Sequence, residues 1–175
     1  MPEPTRRLFF ALWPGAGVRR GIVERRDMLG SLSRRRVPDA NLHLTLAFLG
    51  DRPAGQVVDI EEAAGSLNCR AFRLTLDRFG WFARAGVVWL GGEAPDAARA
   101  LADSLRAAMQ GLGIGIDDRP LVPHVTLFRK VRRRPDFPTP DPLHWPAEDF
   151  SLVESIPGRP YQVLRTWAVE SRDRT

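Results

Sequence analysis

Leu42-His43-Leu44-Thr45-Leu46-Ala47-Phe48-Leu49-Gly50 and Pro123-His124-Val125-Thr126-Leu127-Phe128 carry the same core, His-apolar-Thr-Leu. In a β-strand, residues i and i+2 project from one face about 6.5 to 7 Å apart, so each histidine travels with its threonine. Leu44, Leu46, Val125 and Leu127 point the other way and anchor the strands in a core. The chain has only three histidines. Given its threonine and leucine content, the pattern at two of them has chance odds on the order of one in ten thousand. Arg73-Leu74-Thr75-Leu76 has the same ending without a histidine. Leu-Thr-Leu is therefore ordinary strand composition, and the doubled histidine carries the information.

Leu8-Phe9-Phe10-Ala11-Leu12-Trp13, closed by Pro14-Gly15, reads as a strand buried on both faces. A helix follows near 16–30, then the first histidine strand over 41–49, ended by Gly50-Asp51, and a second helix over 54–67. Strands are expected at 72–77 and 86–90. A helix over 95–110 is punctuated by Pro95 and Gly111. The second histidine strand covers 121–128, and the proline-rich stretch 135–146 reads as an irregular loop. Two strands, 149–155 and 161–169, close the chain around the turn residues Pro157-Gly158-Arg159-Pro160. Strand, helix and histidine strand thus occur twice, a pattern of internal duplication in which two similar halves face each other.

At 175 residues the chain fits one domain with a sizeable core. No apolar run approaches the roughly 20 residues of a membrane span, and the N-terminal segment lacks a signal-peptide apolar region. A cytoplasmic location is the expectation. Cys69 is the only cysteine, which excludes an internal disulfide and a thiolate metal cluster. The net charge of +5 suits a polyanionic ligand. Its weight is reduced because Lys130 is the only lysine among 26 basic residues, a skew that base composition of the genome also produces.

In-line displacement at phosphorus needs a base at the entering oxygen and an acid at the departing one. Two imidazoles with ordinary pKa near 6.5 supply both near neutral pH, and two hydroxyls can hold the non-bridging oxygens. The residues therefore point to His43 and His124 as acid/base groups and to Thr45 and Thr126 as phosphate ligands. No metal or other cofactor is expected, since metal-ligand spacings and HExxH are absent. His144 lies outside the motif and reads as a loop or packing residue, and Cys69 as inert.

On these motifs the chain resembles the two-histidine phosphoesterases, and among them the bacterial and archaeal RNA 2′,3′-cyclic phosphodiesterases, also described as 2′-5′ RNA ligases. Arg7-Leu8-Phe9-Phe10-Ala11-Leu12 is similar to that family's opening strand, and Val153-Glu154-Ser155 followed by Tyr161 to its closing segment. The resemblance implies an α+β fold spanning residues 1–175 as one two-lobed domain. Its two pseudo-symmetric lobes would each carry a mostly antiparallel sheet with helices outside and an active cleft between them. It also implies a monomer acting on RNA with a 2′,3′-cyclic phosphate end, a 2′-phosphate product and weak reverse ligation, with His43 assigned as acid and His124 as base. The family's arginine five residues after the second histidine is Arg129 here. Strict alternation sets it on the wrong face, so a phosphate role requires a bulge or the end of the strand. RNA recognition calls for an aromatic stacking on the base, with Phe10, Phe48 and Trp13 as candidates. Two other readings stay open: another cyclic or 2′-5′ phosphodiester as substrate, such as a spliced tRNA end or ADP-ribose cyclic phosphate, and a non-catalytic module that holds RNA ends.

Overall fold

Leu44 of one motif and Val125 of the other pair across a single antiparallel bridge, the point where two halves of one sheet join. A computed structural model describes residues 1–170, so 171–175 of the expected domain lie outside the described residues. In the first lobe β1 (Thr5–Leu12) runs antiparallel to β3 (Leu44–Pro53) and β9 (Asp149–Ser155), with β10 (Gln162–Ala168) beyond β9. In the second, β7 (His124–Arg129) pairs with β6 (Val87–Gly91), and β5 (Arg78–Phe82) lies beyond β6. A two-residue β2 (Arg35–Arg36) also pairs with β7. The strand order is β10-β9-β1-β3-β7-β6-β5, and a separate ribbon joins β4 (Phe72–Leu76) to β8 (Leu143–Ala147). The helices are α1 (Ala16–Asp27), α2 (Val57–Gly65) and α3 (Asp96–Gly111).

The expected duplication is visible as β1-α1-β3 and β6-α3-β7, each a helix between two antiparallel neighbours. Alternation along β1 divides its side chains: Leu8, Phe10 and Leu12 enter the main core, while Phe9 and Ala11 join Val153, Trp13 and Tyr161 in a smaller cluster. Along α3 the buried residues Ala98, Leu101, Ala102, Leu105 and Met109 recur at helical spacing and make the face that meets the sheet. Burying each large aliphatic side chain contributes roughly 1.5 to 3 kcal/mol.

Three expectations need correction, and two strands were not foreseen. The irregular loop over 135–146 ends early, because Leu143–Ala147 forms β8 with Trp145 and Ala147 buried. The prolines hid that alternation, and Pro146 is tolerated because β8 is an edge strand. β5 and β2 went unread: in β5, Gly80 interrupts the pattern for a packing reason, since a Cβ there would lie 2.0 Å from the Trp89 ring. The helix over 54–67 is shorter than expected, opening with a 3-10 turn at Ala54–Gln56. His144 sits on β8, exposed, and its Nδ1 pairs with the Thr75 hydroxyl at 3.1 Å.

Leu44 is fully buried where the lobes meet. Leu44→Ala is expected to cost about 2–5 kcal/mol in urea unfolding, whereas Thr45→Val on the opposite face changes stability by less than about 1 kcal/mol. Equal losses would mean that the two faces of β3 are not divided between core and cleft.

Candidate active site

The two histidines are held in the same way. His43 Nδ1 donates to the carbonyl of Asn41 at 2.7 Å, and His124 Nδ1 donates to the carbonyl of Val122 at 2.6 Å, each two residues back. A proton fixed on Nδ1 leaves Nε2 as the working nitrogen of both rings. The segment that carries Asn41 is tied down by Arg26, fully buried on α1, which donates to the Val37 carbonyl at 2.8 Å and to Asp39 Oδ1 at 2.5 Å. That bond with Arg26 holds the Asp39 carboxyl below its usual range. The Asn41 side chain in turn accepts the backbone N–H of Tyr161.

Both motif strands carry a bulge at the same place. Ala11 faces Thr45 but Phe10 faces Ala47, leaving Leu46 as the extra residue; Trp89 faces Thr126 but Val88 faces Phe128, leaving Leu127. The bulged residue is the leucine of each His-x-Thr-Leu. Two consecutive side chains therefore turn inward, Leu46-Ala47 and Leu127-Phe128, and all four are buried. The alternation is rephased, so Phe48 and Arg129, each five residues after its histidine, are both exposed. The bulge that a phosphate role for Arg129 required is present.

Antiparallel pairing at Leu44–Val125 puts His43 across from Thr126, and Thr45 across from His124. The cavities follow the same crossing. His43, Thr126 and Arg129 line one of about 200 Å³ together with Arg35, Arg36 and Tyr161. His124, Thr45 and Phe48 line the other, a groove of about 1010 Å³ with Phe82 and Arg84 on its far wall. Each compartment thus takes its histidine from one lobe, and its threonine and bulge-displaced residue from the other. The site has a pseudo-twofold frame with unlike contents, arginine on one side and phenylalanine on the other.

His43 is the more enclosed ring. Trp13 stacks on it at 5.3 Å and 6°, while Phe9 and Tyr161 close it at 5.0 and 5.2 Å. Burial pushes its pKa down to about 4 from the usual 6.5; the Asn41 carbonyl opposes the shift, and the charges of Arg129 and His124 add to it. The Thr45 hydroxyl meets His43 Nε2 at 3.1 Å. His124 lies against Phe82 at 5.1 Å and Trp89 at 6.1 Å, and burial lowers it too, against the Val122 carbonyl.

The five residues expected from sequence are therefore brought to one junction, with Thr45 between the compartments. Of the stacking candidates, Phe10 is fully buried in the core and cannot meet a base, and Trp13 is engaged with His43. Phe48 remains, 47% exposed with Arg7 over one face of its ring at 4.8 Å. Sequence reading missed Phe82 and Arg84 as cleft residues, since Phe82 ends an unread strand and Arg84 follows it; the cluster Arg34-Arg35-Arg36 drew notice only for its closeness to the motifs, and Arg35 and Arg36 line the His43 compartment. Tyr161, the only tyrosine, was noticed in the closing segment without a place in the site. Burial pushes the Cys69 thiol pKa up, which fits an inert residue. Among the described residues no group of three or more His, Cys, Asp and Glu is gathered to hold a metal ion, and no helix is long and apolar enough to cross a membrane.

Paired His-x-Thr strands that meet at a basic junction define a two-histidine phosphoesterase. The chain belongs to the LigT-like phosphoesterase family, whose model matches residues 13–89. It is 36% identical to the RNA 2′,3′-cyclic phosphodiesterase of Escherichia coli K12, covering 97% of this chain and 99% of that one. The protein of the same name from Thermus thermophilus is 34% identical, over 85% and 81% of the two chains. The crystal structure of E. coli LigT complexed with 3′-AMP superposes with a TM-score of 0.87 at 34% identity, covering 95% and 99%.

The enclosed His43 gives a spectroscopic test. In an NMR titration of the free protein its ring should stay neutral down to about pH 4. Saturating inorganic phosphate should raise that midpoint, because a nearby anion favours imidazolium. Titration near 6.5 in the free protein would mean a solvated ring and a differently built cavity.

Proposed function

We propose that this protein is a phosphodiesterase that opens RNA 2′,3′-cyclic phosphate ends to 2′-phosphates without a metal ion, with His43 and His124 as the proton-transfer pair. The observation that carries the reading is the crossed junction: each histidine keeps its Nδ1 on a backbone carbonyl, leaving Nε2 free to act, and lies in a compartment whose threonine comes from the other lobe. The near full-length relatives are named for this activity, and one structural relative holds a nucleoside 3′-phosphate.

The cyclic phosphate sits at the junction of the compartments. The Thr45 and Thr126 hydroxyls donate to its non-bridging oxygens, and the Arg129 guanidinium balances the charge that builds on them. Phe48 offers its open ring face to the base, which sets the nucleoside on the His124 side. Water enters from the smaller His43 compartment. His43 Nε2, neutral near pH 7, takes the water proton as the new P–O bond forms. His124 Nε2–H gives its proton to the ribose 3′ oxygen as the P–O3′ bond breaks.

These roles are the reverse of the assignment made from sequence, and two features support the exchange. His43 is the ring held neutral by burial and Arg129, and the groove with room for a nucleoside is the one beside His124. Substrate anion raises both imidazole pKa values and so favours protonated His124 in the complex. With an RNA 5′-hydroxyl entering in place of water, the same steps form a P–O5′ bond as P–O3′ breaks, and so make a 2′-5′ linkage weakly. One chain supplies the whole junction, which supports action as a monomer. A lone, buried Cys69 suits a reducing cytoplasm.

A turnover assay on a nucleoside 2′,3′-cyclic phosphate tests the reading. His43→Ala and His124→Ala are each expected to lower kcat by at least about 10²-fold in a folded protein, with Thr45→Val and Thr126→Val milder. Chelator should leave the rate intact, and phosphorus NMR should show a 2′-phosphate. Normal turnover in either alanine variant, or a rate abolished by chelator and restored by a divalent ion, contradicts the mechanism; a 3′-phosphate product contradicts the bond assignment.

A further inference from the structure

The groove beside His124 is larger than its terminal nucleotide needs. Its volume of about 1010 Å³ reaches the top of the roughly 300–1,000 Å³ range that encloses a drug-sized ligand. Three of the large hydrophobic side chains that the fold leaves exposed, Phe48, Phe82 and Val122, line this one groove. Phe48 belongs to β3 in one lobe and Phe82 to β5 in the other, so the aromatic rings stand on different walls. Exposed aromatics in a basic groove are the usual platform for single-stranded nucleic acid, since every base has a face to stack.

The charges are divided as well. Arg106 is committed to Asp103 at 2.9 Å and to the carbonyls of Asp117 and Arg119, and Arg119 is paired with Asp117 at 2.7 Å. Arg84, exposed in the turn between β5 and β6 and two residues beyond Phe82, forms no salt bridge among the described residues. A guanidinium left open at the rim of an aromatic groove suits an internucleotide phosphate.

We infer that this groove is a subsite for the penultimate nucleotide, with Phe82 under its base and Arg84 on the phosphate that joins it to the last residue. The preferred substrate is then a single-stranded oligonucleotide rather than a mononucleotide. Preference for base identity is weak, because stacking does not read base edges. This rests on the phosphodiesterase reading above. It adds the direction of the strand: the RNA leaves the junction past His124 along the β5–β6 hairpin, not past Arg35 and Arg36.

The experiment compares kcat/KM for a nucleoside 2′,3′-cyclic phosphate with that for a dinucleotide ending in the same group. It uses the wild type, Arg84→Gln and Arg35→Gln. The wild type is expected to favour the dinucleotide by about 10-fold or more, mostly through KM, the size of one stacked base plus one phosphate contact. Arg84→Gln should abolish most of that gain and flatten its salt dependence while leaving mononucleotide turnover unchanged. Arg35→Gln should keep the gain. Equal efficiency on both substrates in the wild type overturns the subsite, as does an Arg84→Gln loss that is the same on both. So does a gain carried by Arg35. Absence of turnover on both substrates refutes the phosphodiesterase reading instead.

Discussion

One backbone bridge, Leu44 to Val125, decides the geometry of everything catalytic in this molecule. It is the only register at which the two motif strands meet, and it lies at the centre of a pseudo-twofold relation between them. Because Leu44 and Val125 are both fully buried, a slip by one residue would turn every motif side chain to the wrong face. The chemistry is thereby locked to the hydrophobic core: histidine and threonine can only emerge into the cleft if their apolar neighbours are satisfied behind them. The paired Nδ1 bonds to backbone carbonyls extend the same logic, since they orient each ring through main chain that the core already holds.

A symmetric frame does not by itself choose which bond of a cyclic phosphate breaks. The choice comes from what the bulges deliver. Both motif strands are interrupted at the same leucine, and both return the fifth residue after histidine to the cleft side. In one copy that residue is Arg129 and in the other Phe48. The first gives a small basic compartment around a deeply enclosed His43, and the second opens a wide aromatic groove beside His124. A duplicated architecture acquires direction from the unlike residues at these two equivalent positions. The burial that keeps His43 neutral is a second asymmetry, supplied by Trp13, Phe9 and Tyr161, which close around that ring.

Much of this was legible before any coordinates. The repeated His-x-Thr-Leu, the strand spacing and the two strand–helix–strand units were enough to place His43, Thr45, His124 and Thr126 together. The conflict between alternation and a phosphate role for Arg129 called for a bulge or the end of the strand, and the structure has a bulge at Leu127 and the end of β7 at Arg129. What could not be read had physical causes. β8 was hidden by prolines that only an edge strand tolerates, and β5 by Gly80, which is glycine because the Trp89 ring lies on it. With β5 unread, the wall holding Phe82 and Arg84 was invisible. The enclosure of His43 depends on two distant segments, Phe9 with Trp13 and Tyr161 far along the chain, and no local pattern foretells such a meeting. Phe10 was the reverse case, an aromatic beside the motif's partner strand whose alternation sends it into the core.

The most direct test of the account is a crystal structure with a uridine vanadate, whose five-coordinate vanadium mimics the transition state of cyclic phosphate opening. The two Nε2 atoms should lie at opposite apical oxygens, His43 at the water position and His124 at the ribose 3′ oxygen. Thr45, Thr126 and Arg129 should sit on the equatorial oxygens, with no metal between. Both histidines on the same side of vanadium, or a metal ion bridging its oxygens, would contradict the central claim.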